Sequence, residues 1–347
     1  PRVLVGLRRP AGAAERGPDA LQQALQHLPI SVIVGYATYD QDSLTSIGHL
    51  GVEQTHNEEL VGTNGKRVFQ QANNGYIIDD TTIQETPAIN GQDVYLTLDQ
   101  GIQETLEMAI ETTKDQFEES SKLNLEDDPE EMVFTNYNFD AQLEPGSTFK
   151  AVTFAAAIDS GNYDGDQELD SSFFYVGIDE NGNPYRSATP TPYGVIQNAG
   201  GRDWGRVPFD NAFKHSLNVG TAELLLNMGT ETFYDYMLKF GFSTPITTDR
   251  LTTSAGSINY HYPIEQLNTT FGQGVTVNPL QIAQAYSAIL NDGVMVKPHY
   301  IDKIVDTNTN QVTYQSQTEI VGQPIKAETA HQVVDLMNAC VEDEDGF

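Results

Sequence analysis

Cysteine is almost missing from this chain: Cys340 stands alone among 347 residues, so no disulfide can form within it. Seven histidines (His27, His49, His56, His215, His261, His299 and His331) show no ligand spacing, which argues against a structural zinc site. No stretch reaches the roughly 18–20 consecutive apolar residues that span a bilayer, and the first residues lack a secretory signal pattern, so the expectation is a soluble chain. Positive charge is scarce, with 18 Lys and Arg against 49 Asp and Glu for a net charge of −31. A field of that sign repels phosphate backbones and anionic lipid heads, which argues against nucleic-acid and peripheral-membrane binding. Near absence of cysteine fits either the cytosol or the outer face of a bacterium that does not use disulfides.

What is present is enough to fold. Hydrophobic residues make up 39% and aromatics 9%, which excludes wholesale disorder. The length suits one large domain with a smaller one. Residues 1–30 hold four of the nine arginines and an Ala/Gln/Leu-rich helical stretch from Asp19 to Leu28, and they read as a peripheral arm or as a piece of a domain largely absent from this chain. Strand patterns cover Ser31–Tyr39, Arg67–Phe69, Asp93–Leu98, Ile301–Val305 and Gln311–Tyr314, with turns at Gly48–Gly51 and Gly62–Gly65. Asp99 is placed to cap a long amphipathic helix carrying Ile102, Leu106, Ala109 and Ile110 on its apolar stripe. Three further helices are expected at Phe149–Ile158, Val219–Met228 and after Asn278-Pro279, the last ending at Asn291-Asp-Gly293. The acidic runs Glu126–Glu131 and Glu342–Asp345 read as solvated loops.

The chemistry concentrates in Glu144-Pro-Gly-Ser-Thr-Phe-Lys150. Pro145-Gly146 breaks the preceding segment and leaves Ser147 at the start of the apolar helix, close to its unpaired N–H groups. Lys150, three residues on, shares that face. A lysine among apolar neighbours loses charge stabilisation and can serve as a base, so the pair forms a nucleophile-and-base unit. A plain helix cap is the alternative for this motif alone. His215-Ser216-Leu-Asn218 follows before another apolar helix. It reads either as a simple cap or as a proton relay through Ser216, with the Asn218 amide holding Lys150 and a substrate carbonyl.

Ser-x-x-Lys followed by Ser-x-Asn resembles the signature of penicillin-binding proteins and serine β-lactamases. The chain is most similar to class B penicillin-binding proteins, the monofunctional peptidoglycan D,D-transpeptidases, and among them to the Gram-positive division type. Further likeness lies in Gly51-Val-Glu-Gln54, Gly62-Thr-Asn-Gly-Lys66, Gly91–Asp99 with Ile102-Gln103, Gly201-Arg-Asp-Trp204, Phe271-Gly-Gln-Gly274 and Pro279-Leu-Gln281. The resemblance implies an α+β fold with an antiparallel sheet flanked by helices. It places a partial N-terminal pedestal in residues 1–90 and a transpeptidase domain, incomplete here, in 91–347. It also implies that Ser147 attacks a stem peptide ending in D-Ala-D-Ala, that Lys150 takes its proton, and that Ser216 and Asn218 serve proton relay and substrate. Trp204 is then a candidate for the substrate groove, a packing anchor being the other reading.

By the same resemblance β-lactams would acylate Ser147, no cofactor or metal is needed, and nucleic acid is no partner. The catalytic domain would lie outside the cytoplasmic membrane on an anchor absent from these residues, with membrane-embedded divisome or elongation proteins as partners. Hydrolysis by a D,D-carboxypeptidase or β-lactamase, and a non-catalytic cell-wall scaffold, are the alternatives. Two departures stand out. The family's third motif, Lys-Ser/Thr-Gly, does not occur in the sequence and is expected soon after residue 347. A strand pair usual in the family is missing where Lys122 meets Leu123, so the expectation is that a segment is absent at that junction.

Overall fold

Why the chain folds where it does is clearest in Asp93–Asp99, whose side chains alternate between covered and open positions, with Val94 and Leu96 wholly buried. In the computed structural model, which describes residues 4–7, 33–70, 84–99, 101–106, 108 and 137–342, this strand is central to a four-stranded antiparallel sheet. Leu4–Leu7 flanks it on one side and Ile301–Val305 on the other, followed by Val312–Gln315. Val94 and Leu96 pack with Val52, Leu60, Ile301 and Ile304 into one small core. Asp99 caps the following turn as expected, its Oδ1 accepting from the N–H groups of Gly101 (2.9 Å) and Ile102 (3.1 Å). Ile102 and Leu106 on that helical stretch are exposed. The start of the chain's first described hairpin differs from expectation: strands Tyr36–Asp40 and Thr45–His49 pair across a turn at residues 41–44, which Asp40 holds by accepting from the N–H groups of Asp42 and Ser43.

This sheet belongs to a compact unit drawn from the described residues of 1–136, 248–251 and 299–317, while those of 137–247, 252–298 and 318–347 form a second. Asp93–Asp99 finds its backbone partners in the remote hairpin at 301–315, which is why those late residues join this unit. The expected helix at 19–28, the Lys122/Leu123 junction and the acidic run at 126–131 lie outside the described residues. No helix among the described residues is long and apolar enough to cross a membrane.

The second unit is built around α1 (Lys150–Asp159), entered through a 3-10 turn at Gly146–Phe149. A helix that is apolar on every side belongs in the middle of a core, and Lys150 through Ala157 are all buried. After α1 come β1 (Phe174–Ile178), β2 (Pro184–Ser187) and β3 (Val195–Ile196), an antiparallel sheet in the order β3-β1-β2 that the sequence did not announce. Then follow α2 (Asn218–Met228), α3 (Thr230–Lys239), α4 (Pro263–Thr269), α5 (Pro279–Ile289) and α6 (Ala327–Glu342). Helices α2, α3 and α6 pack on α1, and α4 packs on the three-stranded sheet. Asp159, at the end of α1, accepts from the Lys326 N–H (2.7 Å), Thr329 Oγ1 (2.9 Å) and the Tyr236 hydroxyl (2.7 Å), joining α6 and α3 to the central helix. The expected cap of α5 is present as a reciprocal box: Asn278 accepts from the Gln281 N–H at 2.9 Å, and Gln281 Oε1 accepts from the Asn278 N–H at 3.1 Å.

One close approach fixes where the 3-10 turn begins. The Gly146 N–H donates to the Gly272 carbonyl at 3.1 Å, and Gly272 has a left-handed φ of +77°. A Cβ on Gly272 would stand 2.2 Å from the Gly146 carbonyl oxygen, a backbone atom that cannot step aside. Tyr286 of α5 holds the next turn, its hydroxyl donating to the Thr148 carbonyl at 2.7 Å. Gly272→Ala therefore loses about 2–3 kcal/mol of stability from combined φ strain and collision. Thermal unfolding read against Gly182→Ala, at a glycine of φ +88° with open space for a Cβ, isolates the collision.

Candidate active site

Ser147 sits on the 3-10 turn and is exposed, while Lys150, one turn later, is 4% exposed. The turn is held from below by Phe149, wholly buried against Phe242 (ring centroids 4.8 Å apart) and edge-on to Phe233. A residue spacing of three thus does two opposite things: it presents the serine hydroxyl to solvent and sinks the lysine into the core. Burial pushes the Lys150 amine down from its ordinary value to about 7, so near neutral pH a large share is uncharged.

What meets Lys150 is the second motif. Its Nζ donates to the Ser216 carbonyl at 2.5 Å and to Ser216 Oγ at 3.0 Å. Ser216 reaches it through a left-handed backbone, φ +51°, which a residue with a Cβ adopts at a cost of roughly 1–2 kcal/mol. That turn points both oxygens of one residue at one amine. The sequence signal for it was present only as chemistry, a serine before an asparagine, since nothing in the residue types there demands a positive φ.

Asn218 opens α2, and its Nδ2 donates to the Gln197 carbonyl at 3.0 Å, so the expected hold on Lys150 is replaced by a hold on the residue after β3. The neighbouring Asn198, almost fully buried, completes this anchor and was not singled out from the sequence. Its Oδ1 accepts from the Val219 N–H at 3.1 Å, satisfying one of the orphan donors of α2, while its Nδ2 donates to the carbonyls of Ser171 and Arg202. A short hidden chain of hydroxyls ties the helices behind the site: Thr153 of α1 donates to the Thr270 carbonyl at 2.7 Å, and Thr270 Oγ1 donates to Thr221 Oγ1 of α2 at 3.0 Å. Such buried hydroxyls persist because each is satisfied. Trp204 is 45% exposed and stacks on His215, centroids 4.0 Å apart and planes 6° from parallel, so the one tryptophan lies beside the residue preceding Ser216. Among the described residues no group of three or more His, Cys, Asp or Glu could hold a metal ion.

Two measurements test this geometry. Ser216→Gly and Ser216→Ala both remove the hydroxyl, but only glycine is at ease at φ +51°, so urea unfolding will find the glycine variant more stable by roughly 0.5–1 kcal/mol. Lys150 titrates lower in the folded chain than its unfolded value of 10.5, so between about pH 7 and 10.5 the unfolded chain binds more protons at this site. Its contribution to stability must therefore rise with pH across that window. Unfolding free energies of the wild type, measured relative to Lys150→Met, will increase from pH 7 to 10; a flat difference would contradict the depressed value.

Comparison with known proteins places the whole chain. The family model described as "Penicillin binding protein transpeptidase domain" matches residues 96–346, and that described as "Penicillin-binding Protein dimerisation domain" matches residues 32–96. Stage V sporulation protein D of Bacillus subtilis is 24% identical over 95% of the chain and 53% of its own length. The probable peptidoglycan D,D-transpeptidase PenA of Neisseria gonorrhoeae is 25% identical over 85% of the chain and 50% of its own length. Among solved structures, penicillin-binding protein 2X of Streptococcus thermophilus shares the fold with a TM-score of 0.67 and 24% identity, covering 89% of this chain and 48% of that one. The chain thus spans about half the length of the curated relatives it matches. The transpeptidase model matches well over half of the chain, and the chain belongs to the penicillin-binding protein transpeptidase family.

Proposed function

We propose that this protein cross-links peptidoglycan by serine acyl transfer. The single observation that carries the reading is a buried Lys150, near neutral at physiological pH, held by both oxygens of Ser216 and one helical turn from an exposed Ser147. An ammonium there could not take a proton; a neutral amine can, and it keeps N–H groups for the Ser216 oxygens while its lone pair is free.

In this reading Ser147 Oγ attacks the penultimate D-Ala carbonyl of a stem peptide and its proton passes to Lys150. The Ser147 N–H helps hold the developing oxyanion, a type of contact worth about 3 kcal/mol per donor in acyl-transfer enzymes. The C–N bond of the tetrahedral intermediate then breaks, and the proton leaves from Lys150 through Ser216 Oγ to the departing D-Ala amine. An amine from a neighbouring stem attacks the acyl-serine and gives up a proton through Ser216 Oγ to Lys150; the ester C–O bond breaks, Lys150 returns that proton to Ser147 Oγ, and the cross-link is complete. Asn218, fixed by Gln197 at the start of α2, faces the donor peptide's amide, and Trp204 on His215 forms part of the groove wall. The relatives named as D,D-transpeptidases support this assignment. The resemblance also supports a place outside the cytoplasmic membrane among membrane-embedded division or elongation proteins. β-Lactams, as strained acyl donors, would stop at the acyl-serine stage.

The test is intact-mass spectrometry of the full-length protein after exposure to benzylpenicillin, beside Ser147→Ala. The expected result is one stable adduct in the wild type and none in the variant. Rapid drug loss without an adduct would assign a hydrolase instead, and neither adduct nor loss would leave a non-catalytic scaffold.

A further inference from the structure

Antiparallel pairing places Val195 of β3 opposite Tyr175 of β1, and Gly177 of β1 opposite Tyr185 of β2, so these four residues lie on one face of the three-stranded sheet. The intervening residues Phe174, Val176 and Ile196 are buried on the other face, against the core. The outward face is left to solvent and to aromatic rings. Tyr185 is 48% exposed, Val195 43%, and Phe173, two residues before Tyr175 and edge-on to it at 5.7 Å, is 56% exposed. A soluble protein rarely spends that many large apolar groups on one small surface without a use for it.

Two features say what the use is. First, a Cβ on Gly177 would fall 2.3 Å from the Tyr185 ring, so this ring lies down over the glycine and turns its other face outward. A flat, electron-rich ring face is a partner for the C–H-lined face of a sugar ring. None of the four side chains carries a charge, and the chain's net charge of −31 is unsuited to an anionic surface. Second, the face is continuous with the second motif: Val195 is exposed, Ile196 buried, Gln197 exposed, and the Gln197 carbonyl accepts from Asn218 Nδ2 at 3.0 Å. The strand that ends the aromatic face delivers, two residues later, to the residue that would hold the stem peptide.

We propose that this sheet face is a docking surface for the glycan strand of peptidoglycan, whose sugars stack on Tyr185 and Phe173 and so carry their stem peptides toward Asn218. This rests on the cell-wall reading of Ser147 and extends it from the reacting peptide to the neutral polysaccharide that bears it. Recognition by the glycan places many stems at one site without contact to the reacting bond, which separates holding the polymer from choosing the peptide.

The test is calorimetric titration of the full-length protein with neutral oligomers of β-1,4-linked N-acetylglucosamine, which carry the glycan backbone with neither stem peptides nor carboxylates. Benzylpenicillin acylation of the same preparations reports whether the fold and Ser147 are intact. The wild type is expected to bind, and Tyr185→Ala and Phe173→Ala each to weaken binding at least fivefold. Tyr185→Phe should keep it, and Gly177→Ala, which lifts the Tyr185 ring, should weaken it. No binding by an acylation-competent wild type overturns the docking surface and leaves the acyl-transfer reading intact, and so does unchanged affinity in Phe173→Ala, whose exposed ring can be lost without harm to the core. Binding that persists in a protein never acylated would instead overturn the reading of Ser147 while keeping the surface.

Discussion

Everything in the site depends on sinking one amine. Lys150 is buried because α1 is apolar on all sides and lies at the centre of its unit, so a lysine in its first turn has nowhere to go but inward. Desolvation of an ammonium is expensive, and the group answers by titrating near 7 rather than by leaving the core. The two Ser216 oxygens satisfy its N–H groups, and their alignment requires the left-handed backbone at that serine. Strain in one residue thus stabilises an uncharged base in another.

The exposed serine follows from the same geometry turned outward. Gly146 and Gly272 lock the entry to α1, Phe149 anchors the 3-10 turn from below, and Tyr286 donates to the Thr148 carbonyl. Three separate segments therefore fix Ser147: the turn itself, the loop after α4 and helix α5. The second motif is fixed just as indirectly, by Gln197 and Asn198 at the end of β3. Rigid placement of this kind is what lets a proton move between Ser147, Lys150 and Ser216 without reorganising the surrounding chain.

Much of this was legible in the residues. Pro145-Gly146 before an alanine-rich run gave the position of Ser147 on α1, and Asn278-Pro279 with Gln281 gave the capped start of α5. Alternation in Asp93–Asp99 gave a strand but not its partner, because a remote hairpin at 301–315 completes that sheet. Asn218 was expected on Lys150 and instead binds Gln197, a long-range contact that spacing cannot show. The three-stranded sheet was missed since β2 and β3 are short and set among the turn residues Gly182, Pro190 and Pro192, and Asn198 was missed because a buried asparagine looks like any loop residue. Local chemistry is written in local sequence, whereas the side chains that orient it come from elsewhere in the chain.

The most direct test is the pH dependence of the second-order rate at which benzylpenicillin acylates Ser147, followed from pH 5 to 9. If Lys150 is the base and burial holds it near 7, the rate climbs about tenfold per pH unit below that value and levels off above it. A rate still climbing at pH 9 would mean that Lys150 keeps its ordinary pKa, and one independent of pH throughout would mean that it takes no proton from Ser147.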